Sequence, residues 1–334
     1  MAIASLQTTL APLSFFLQSK HIYEIMINRP NEIWLDDGKT IVKQGIDLSY
    51  KMLKRLADLI AAQSGQEISE QKPLLSATLP GGHRVQVILS PVVKFLDEDK
   101  SWQDTVCLGI RKQADIDFDL KFFENQGGFS HLEHKNSAPE KELNYLYLNK
   151  NYCEFLTRAV QLKKTILISG GTYSGKTTLL NMLIKHMDNN ERILSLEDTP
   201  ELHIPHGNQV RLFYSRGMQS QAKMSAHDLL NASLRMRPDR IIMGELREDD
   251  AVCWLQAANT GHEGTLSTIH SDSPTLAIQK LTDMVRVKYP RQSDESIKQY
   301  IHAVVDIIVQ IKRNTTTGQR YISEILFLEG SSCN

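Results

Sequence analysis

The stretch GGTYSGKTT, Gly170 to Thr178, sets glycines, a lysine and a hydroxyl residue in the order Gly170-x4-Gly175-Lys176-Thr177. This is the complete GxxxxGK[ST] pattern, with the apolar run TILIS before it and an amphipathic segment after it, as a strand–loop–helix phosphate cradle requires. Glycines let backbone N–H groups turn inward around an anion with no Cβ in the way. The first turn of the following helix adds unpaired donors and the positive end of its dipole. Lys176 then supplies a point charge to the β- and γ-phosphates, and the Thr177 hydroxyl ligates Mg2+. The expected ligand is therefore a nucleotide with Mg2+, cradled by Gly170, Gly171, Thr172, Tyr173, Ser174, Gly175, Lys176, Thr177 and Thr178.

Further along the chain, ILSLEDTPEL puts Glu197, Asp198 and Glu201 just past a buried strand. In an open α/β sheet, ligands lie outside the carboxyl ends of the strands, so these acids can face the γ-phosphate and its water. RMRPDRIIMGELR ends a second strand at Gly244-Glu245. Where P-loop enzymes usually carry an aspartate that reaches Mg2+ through water, this chain has Gly244, so Glu245 or the upstream acids must take that work. GHEGTLSTIH holds two histidines, but eight residues of extended strand span roughly 26 Å at ~3.3 Å each, too far for one metal ion. His262, Thr265, Thr268 and His270 instead read as polar groups ending a central strand, within reach of a phosphate or a neighbouring subunit.

The elements that must position these groups fall into two regimes. Residues 1–125 alternate short strands with one clear helix. IYEIMI (22–27) reads as a strand, residues 31–42 as a hairpin turning at Asp37-Gly38, and residues 74–89 as a second hairpin tipped by Pro80-Gly81-Gly82. Met52, Leu53, Leu56, Leu59 and Ile60 recur at helical spacing, predicting a helix over about 49–63. Residues 126–140 read as a linker. From 141 to 334, apolar strands alternate with amphipathic helices, which predicts a mostly parallel sheet covered on both faces. Ser225 with Asp228 forms a capping box, Ser273-Pro274 starts another helix, Pro238 closes the helix carrying Leu230 and Leu234, and the tail folds as two strands around Thr317-Gly318. The fold class is thus α/β: a C-terminal P-loop NTPase domain preceded by a smaller α+β N-terminal domain.

With 334 residues, 41% hydrophobic and 23% charged, the chain has material for two cores. Its 38 basic and 39 acidic side chains leave a formal charge of -1, so no overall field draws it to nucleic acid or an anionic membrane. Cys107, Cys153, Cys253 and Cys333 form no CxxC pair and read as reduced thiols of a cytosolic protein. The N-terminal stretch lacks the marks of a signal peptide, and no run of 18 apolar residues is present, so membrane association is expected only through partners.

Taken in order, these blocks resemble the secretion-ATPase superfamily, most closely the VirB-eleven-type traffic ATPases of bacterial type IV secretion and conjugation systems. GGTYSGKTT is similar to that family's phosphate loop, LEDTPEL to its Asp box, RPDRIIMGELR to its atypical Walker B and GHEGTLSTIHSDS to its His box. EIMINRPNEIWL, LLSATLPGGHRVQVILSPV and LGIRK resemble segments of its N-terminal half. The resemblance implies a RecA-like C-terminal domain and a homohexameric ATPase working with inner-membrane secretion components, including other secretion ATPases, at the cytoplasmic face of the inner membrane. It implies that Lys176 and Thr177 hold phosphates and Mg2+, that Glu197 orients or activates the attacking water, that Glu245 sits near the metal, and that His270 senses the γ-phosphate. It also implies that N-terminal arginines, here Arg84 and Arg111, reach the phosphates. Three departures stand out: Tyr173 replaces a common glycine, KFLDEDKSWQD (94–104) reads as an insertion, and RKQAD lacks the usual proline.

Other functions answer to the same loop. A nucleotide-gated scaffold with negligible turnover is kept open by Gly244. A pilus or type II secretion motor belongs to the same superfamily. A nucleic-acid motor is disfavoured by the neutral charge and the lack of basic-aromatic stripes, and a kinase by the lack of an acceptor site.

Overall fold

The structure is a computed structural model describing residues 2–113, 120–125, 127–129, 138–215, 222–247 and 250–328. Cys333 and most of the expected linker lie outside the described residues. Helices α1 (Ala2–Thr9) and α2 (Ser14–Gln18) lead into strands β1 (Glu24–Ile27), β2 (Glu32–Asp36) and β3 (Ile41–Gly45). The β2–β3 turn forms at Asp37-Gly38, where Gly38 has φ +82° and the Asp37 carboxylate accepts from the amides of Lys39 and Thr40. Helix α3 (Tyr50–Gln63) starts where Ser49 caps the Met52 amide, and it buries Leu53, Leu56 and Ile60. Strands β4 (Leu74–Thr78), β5 (Arg84–Leu96) and β6 (Trp102–Arg111) complete the first part, whose own core also takes in Leu6, Ile25, Ile33, Val87 and Leu108.

After α4 (Leu120–Asn125), α5 (Ala138–Leu148) and α6 (Tyr152–Gln161), the alternating part begins. It runs β7 (Ile166–Gly170), α7 (Lys176–Ile184), β8 (Ile193–Glu197), β9 (Gln209–Phe213), α8 (Ala226–Ser233), β10 (Arg240–Met243), α9 (Asp250–Ala258) and β11 (Leu266–Ile269). Helices α10 (Pro274–Lys288) and α11 (Asp294–Val304) and strands β12 (Ile307–Arg313) and β13 (Arg320–Phe327) finish it. The capping box at Ser225–Asp228 and the Ser273 cap before Pro274 both form. Helix α8 stops at Ser233, short of the stop expected from Pro238, and Arg237 before the proline takes φ +57°.

Strands β12, β7, β11, β10, β8 and β9 lie side by side in parallel. Their side chains split by the two-residue period of a strand. Leu194, Leu196, Ile241 and Met243 join the core under α8 to α11, while Ile193 and Ile242 join the one under α5 to α7. Both faces are covered, as a parallel sheet requires. The α/β class and the RecA-like C-terminal part agree with the expectation.

The strands form a single 13-stranded sheet, β13-β12-β7-β11-β10-β8-β9-β5-β6-β1-β2-β3, with β4 added on β5. The seam is antiparallel pairing of Val93 with Leu212 and Lys94 with Arg211. The stretch 94–104, read above as an insertion, is the end of the β5–β6 hairpin, with Lys94 opposite Asp104 and Leu96 opposite Trp102. β5 thus runs past the first core and meets β9 at Val93 and Lys94.

Candidate functional site

The phosphate loop leaves the carboxyl end of β7 and enters α7 at Lys176. A Cβ on Gly170 would lie 2.5 Å from the Ile311 carbonyl and from Ser174 Oγ, so only glycine fits there. Gly175 has φ +100°, and a Cβ there would come within 2.7 Å of Arg320 Cδ. Gly171 faces open space. The amides of Lys176, Thr177 and Thr178 open α7 and have no partner four residues back. Ser174 Oγ is buried without a hydrogen-bond partner. An orphaned hydroxyl and free helix amides around an open cradle fit a bound phosphate. Tyr173 is 79% exposed and occupies the left-handed region at φ +58°, which accounts for the glycine common at that place: this backbone suits a residue without Cβ.

A cavity of about 330 Å³ opens over the loop, lined also by Glu197, Asp198, Glu201, Gly244, Glu245, Arg247, Thr268, His270 and Arg320. The charged groups form a chain across its mouth. Lys176 Nζ donates to the Gly171 carbonyl at 3.0 Å and lies 3.2 Å from His270 Nδ1. His270 Nε2 is 2.6 Å from Glu245 Oε1, and Arg247 forks onto Glu245 Oε2, its Nε at 2.7 Å. Burial holds the Lys176 ammonium below its ordinary pKa. Burial, and then the Lys176 charge, hold His270 below its own, against the opposing pull of Glu245. A neutral imidazole follows: it accepts from Lys176 at Nδ1 and donates to Glu245 from Nε2.

Glu197 reaches the same cavity in a different condition. It is 1% exposed, and every direction of its carboxylate is engaged. Arg211 bonds both oxygens at 2.8 Å, Ser195 Oγ donates at 2.7 Å, and the amides of Glu201 and Leu202 donate at 3.1 and 3.0 Å. By holding those amides it sets Glu201, whose Oε2 accepts from Thr177 Oγ1 at 3.1 Å. Asn181 of α7 clips the loop from the other side, donating to the Glu201 carbonyl and accepting from the His203 amide.

Among the described residues, no group of three or more His, Cys, Asp or Glu is spaced to hold a metal ion. The oxygens of Thr177, Glu201 and Glu245 are nevertheless the hard donors Mg2+ takes when phosphates and water supply the rest of its shell. A Cβ on Gly244 would meet Glu197 Cγ only at 3.9 Å, so the missing aspartate is not a matter of space.

Of the residues expected from the sequence, the loop, Glu197, Glu245, Thr268 and His270 come together around this cavity. His262 and Thr265 do not: they precede β11, whereas Thr268 and His270 lie at its far end. Arg84 and Arg111 pair across β5 and β6 and line a separate cavity of about 260 Å³ with Arg235, away from the loop of their own chain. Arg111 is held by Glu24. Arg211, Arg247 and Arg320 were missed by sequence reasoning. Arg247 stands two residues past Glu245, a spacing that could have flagged it; Arg320 arrives only because β13 returns beside β12, which no local pattern announces.

A parallel sheet with the phosphate loop after β7 and acids at the ends of β8 and β10 defines a RecA-like P-loop nucleotide hydrolase. Residues 133–325 match the family model described as Type II/IV secretion system protein. The type IV secretion system protein VirB11 of Bartonella quintana is 37% identical over 344 residues, covering 97% of this chain and 93% of its own. VirB11 of Brucella suis is 34% identical over 334 residues, covering 97% and 90%. The crystal structure of the VirB11 ATPase from the Brucella suis type IV secretion system, in complex with sulphate, matches at TM-score 0.89 and 32% identity over 99% of this chain and 96% of that one. The chain belongs to the VirB11 ATPases of the type II/IV secretion system protein family.

Proposed function

We propose that this chain is the ATP-hydrolysing subunit of a homohexameric motor that drives assembly of, or substrate transfer by, a bacterial type IV secretion system. Its parts are an N-terminal domain (1–125), a linker (126–140) and the ATPase domain (141–334). The ring works at the cytoplasmic face of the inner membrane, held there by other secretion components; no described helix is long and apolar enough to cross a bilayer.

The observation that carries the reading is the Lys176–His270–Glu245–Arg247 chain over the phosphate cradle. With ATP seated, Lys176 leaves the Gly171 carbonyl and His270 for the β- and γ-phosphate oxygens. His270, losing its donor, turns its Nδ1 toward the γ-phosphate and loosens its hold on Glu245. Glu245 then accepts a proton from the water that attacks the γ-phosphorus. The P–O bond to the β-phosphate breaks, and ADP and phosphate are formed. Mg2+, held by Thr177 with Glu201 or Glu245 close by, would offset charge on the transferring group. Arg320 is the cation this chain offers to the developing charge. Arg84 and Arg111, remote from their own loop, are available to a neighbour's nucleotide in the ring. Glu197 acts through position: it fixes the loop that carries Glu201. Loss of phosphate resets the chain and so tells the rest of the subunit which nucleotide is bound.

Steady-state phosphate release with MgATP tests this. Wild type should turn over while Lys176→Ala does not bind ATP tightly enough to follow. Equal release from both, across ionic conditions, would leave a nucleotide-gated scaffold as the better reading.

A further inference from the structure

A cavity of about 670 Å³ lies at the seam of the two parts, apart from the phosphate loop. Its walls are the β1–β2 turn, the ends of β5 and β6, and the loop from β8 to β9. One side is apolar and aromatic, with Val93, Phe95, Trp102, Ile204 and Pro205. The charges around it are unequal: Arg29, Lys94, Lys100, Lys185 and Arg211 face Glu32 as the single carboxylate. Arg29 is bound to Glu32, Lys94 to Asp104 and Arg211 to Glu197. Lys100 and Lys185 form no ion pair among the described residues, although Asp97, Glu98 and Asp99 directly precede Lys100.

The polar groups at the back are also unmatched. His206 is 2% exposed, and neither ring nitrogen meets a partner at hydrogen-bonding geometry, although backbone groups of Asp188 and Met187 approach it. Behind Asn28 and Cys107 of the wall, Arg192 is wholly buried and bonded only to neutral groups: Asn28 Oδ1 at 2.7 Å, Asn208 Oδ1, and the Met236 carbonyl at 2.9 Å. Its Nη2 and the Asn208 Nδ2 have no partner. Orphaned donors around a buried cation are uncommon in folded proteins, where such groups are almost always satisfied. Here they stand next to a cavity large enough for a small ligand.

We propose that this cavity is a second ligand site, taking a small organic anion — a carboxylate, phosphate or sulfonate on a flat apolar body — and that its occupancy lowers ATP turnover through Arg211. The anionic group meets Lys100, Lys185 and His206, and the flat body lies along Phe95 and Trp102. Arg211 links the two cavities: it lines this one, while its guanidinium forks onto Glu197 of the catalytic cavity and stacks 4.9 Å from the Trp102 ring. An anion that draws on Arg211 weakens its grip on Glu197, and with it the Glu201 loop beside Thr177. That coupling rests on the proposed function; the binding does not.

The probe is 8-anilinonaphthalene-1-sulfonate, a sulfonate on a flat aromatic body, titrated into the full chain with saturating ADP present. Saturable binding of one probe per chain is expected, unchanged by Lys176→Ala and weakened at least tenfold in Lys100→Glu/Lys185→Glu, both exposed positions. Excitation of tryptophan should sensitise the probe, and Trp102→Phe should lower that emission, with Trp34, which lies against Gly207 of the same wall, and Trp254 left in place. Binding indifferent to the two charge reversals, lost on Lys176→Ala, or sensitised equally without Trp102 would overturn the site. Wild-type phosphate release should fall with the same midpoint as binding. Saturation with undiminished release would overturn the coupling through Arg211. Because fluorescence needs no hydrolysis, failure of this site and failure of the ATPase reading are read separately.

Discussion

His270 stands between a cation and a carboxylate, and its neutral form is what lets it accept from Lys176 while donating to Glu245. Its pKa lies below the ordinary 6.5 because burial and the lysine penalise the charged ring. The folded chain therefore binds this proton less readily than the unfolded one. The stability this contributes is full above about 6.5 and is lost as pH falls from there through the folded value. Activity should follow the same sign: the acid limb of kcat/KM for ATP should have its midpoint below 6.5, and His270→Asn should shift that limb to lower pH. A limb unchanged in the variant would place the titrating group elsewhere. Tyr173 offers a second test. An ordinary surface Tyr→Gly replacement loses about 0.5–1 kcal/mol to unfolded-chain entropy, whereas a non-glycine residue held in the left-handed region stores about 1–2 kcal/mol. Tyr173→Gly should then leave the midpoint of denaturant unfolding no lower than wild type, with ATP binding retained.

Strand β5 outruns its own core and pairs with β9, so the Arg211–Glu197 bond forms at the seam of the two parts of the sheet. Removing one partner of a buried ion pair leaves the other without compensation, a loss of about 3–5 kcal/mol. Arg211→Ala should show that loss in denaturant unfolding, and Arg211→Met/Glu197→Gln should recover most of it. Recovery of stability without recovery of turnover would separate the positioning work of Glu197 from its contribution to the fold. This element also marks where sequence reading ran out. The phosphate loop, the α3 face and the caps at Ser225 and Ser273 were legible because each is local, set by glycine, by periodicity or by a hydroxyl a few residues from its amide. The seam was not, because nothing in alternation says which distant strand an edge will meet. For the same reason Arg211 and Arg320 went unseen, while Arg84 and Arg111, carried over by resemblance, stand away from their own chain's loop. Glu197 was found but its engagement was not, since a carboxylate's partners depend on strands far apart in the chain.

In the proposed ring, Arg84 and Arg111 would have a use that one chain alone denies them. If rings bring them to a neighbour's phosphates, turnover per chain should rise with protein concentration as oligomers form, and Arg84→Ala should flatten that rise without weakening ATP binding by the isolated chain; sedimentation alongside phosphate release checks both. Turnover nonetheless depends on the acid at the end of β10, Glu245, being the one set free when ATP draws Lys176 away. The most direct measurement is single-turnover hydrolysis of bound ATP by Glu245→Gln. The expected result is ATP bound as in wild type and a chemical step slowed by about 10²–10⁴-fold, the range of a lost general base. Hydrolysis at the wild-type rate in that variant would contradict the account.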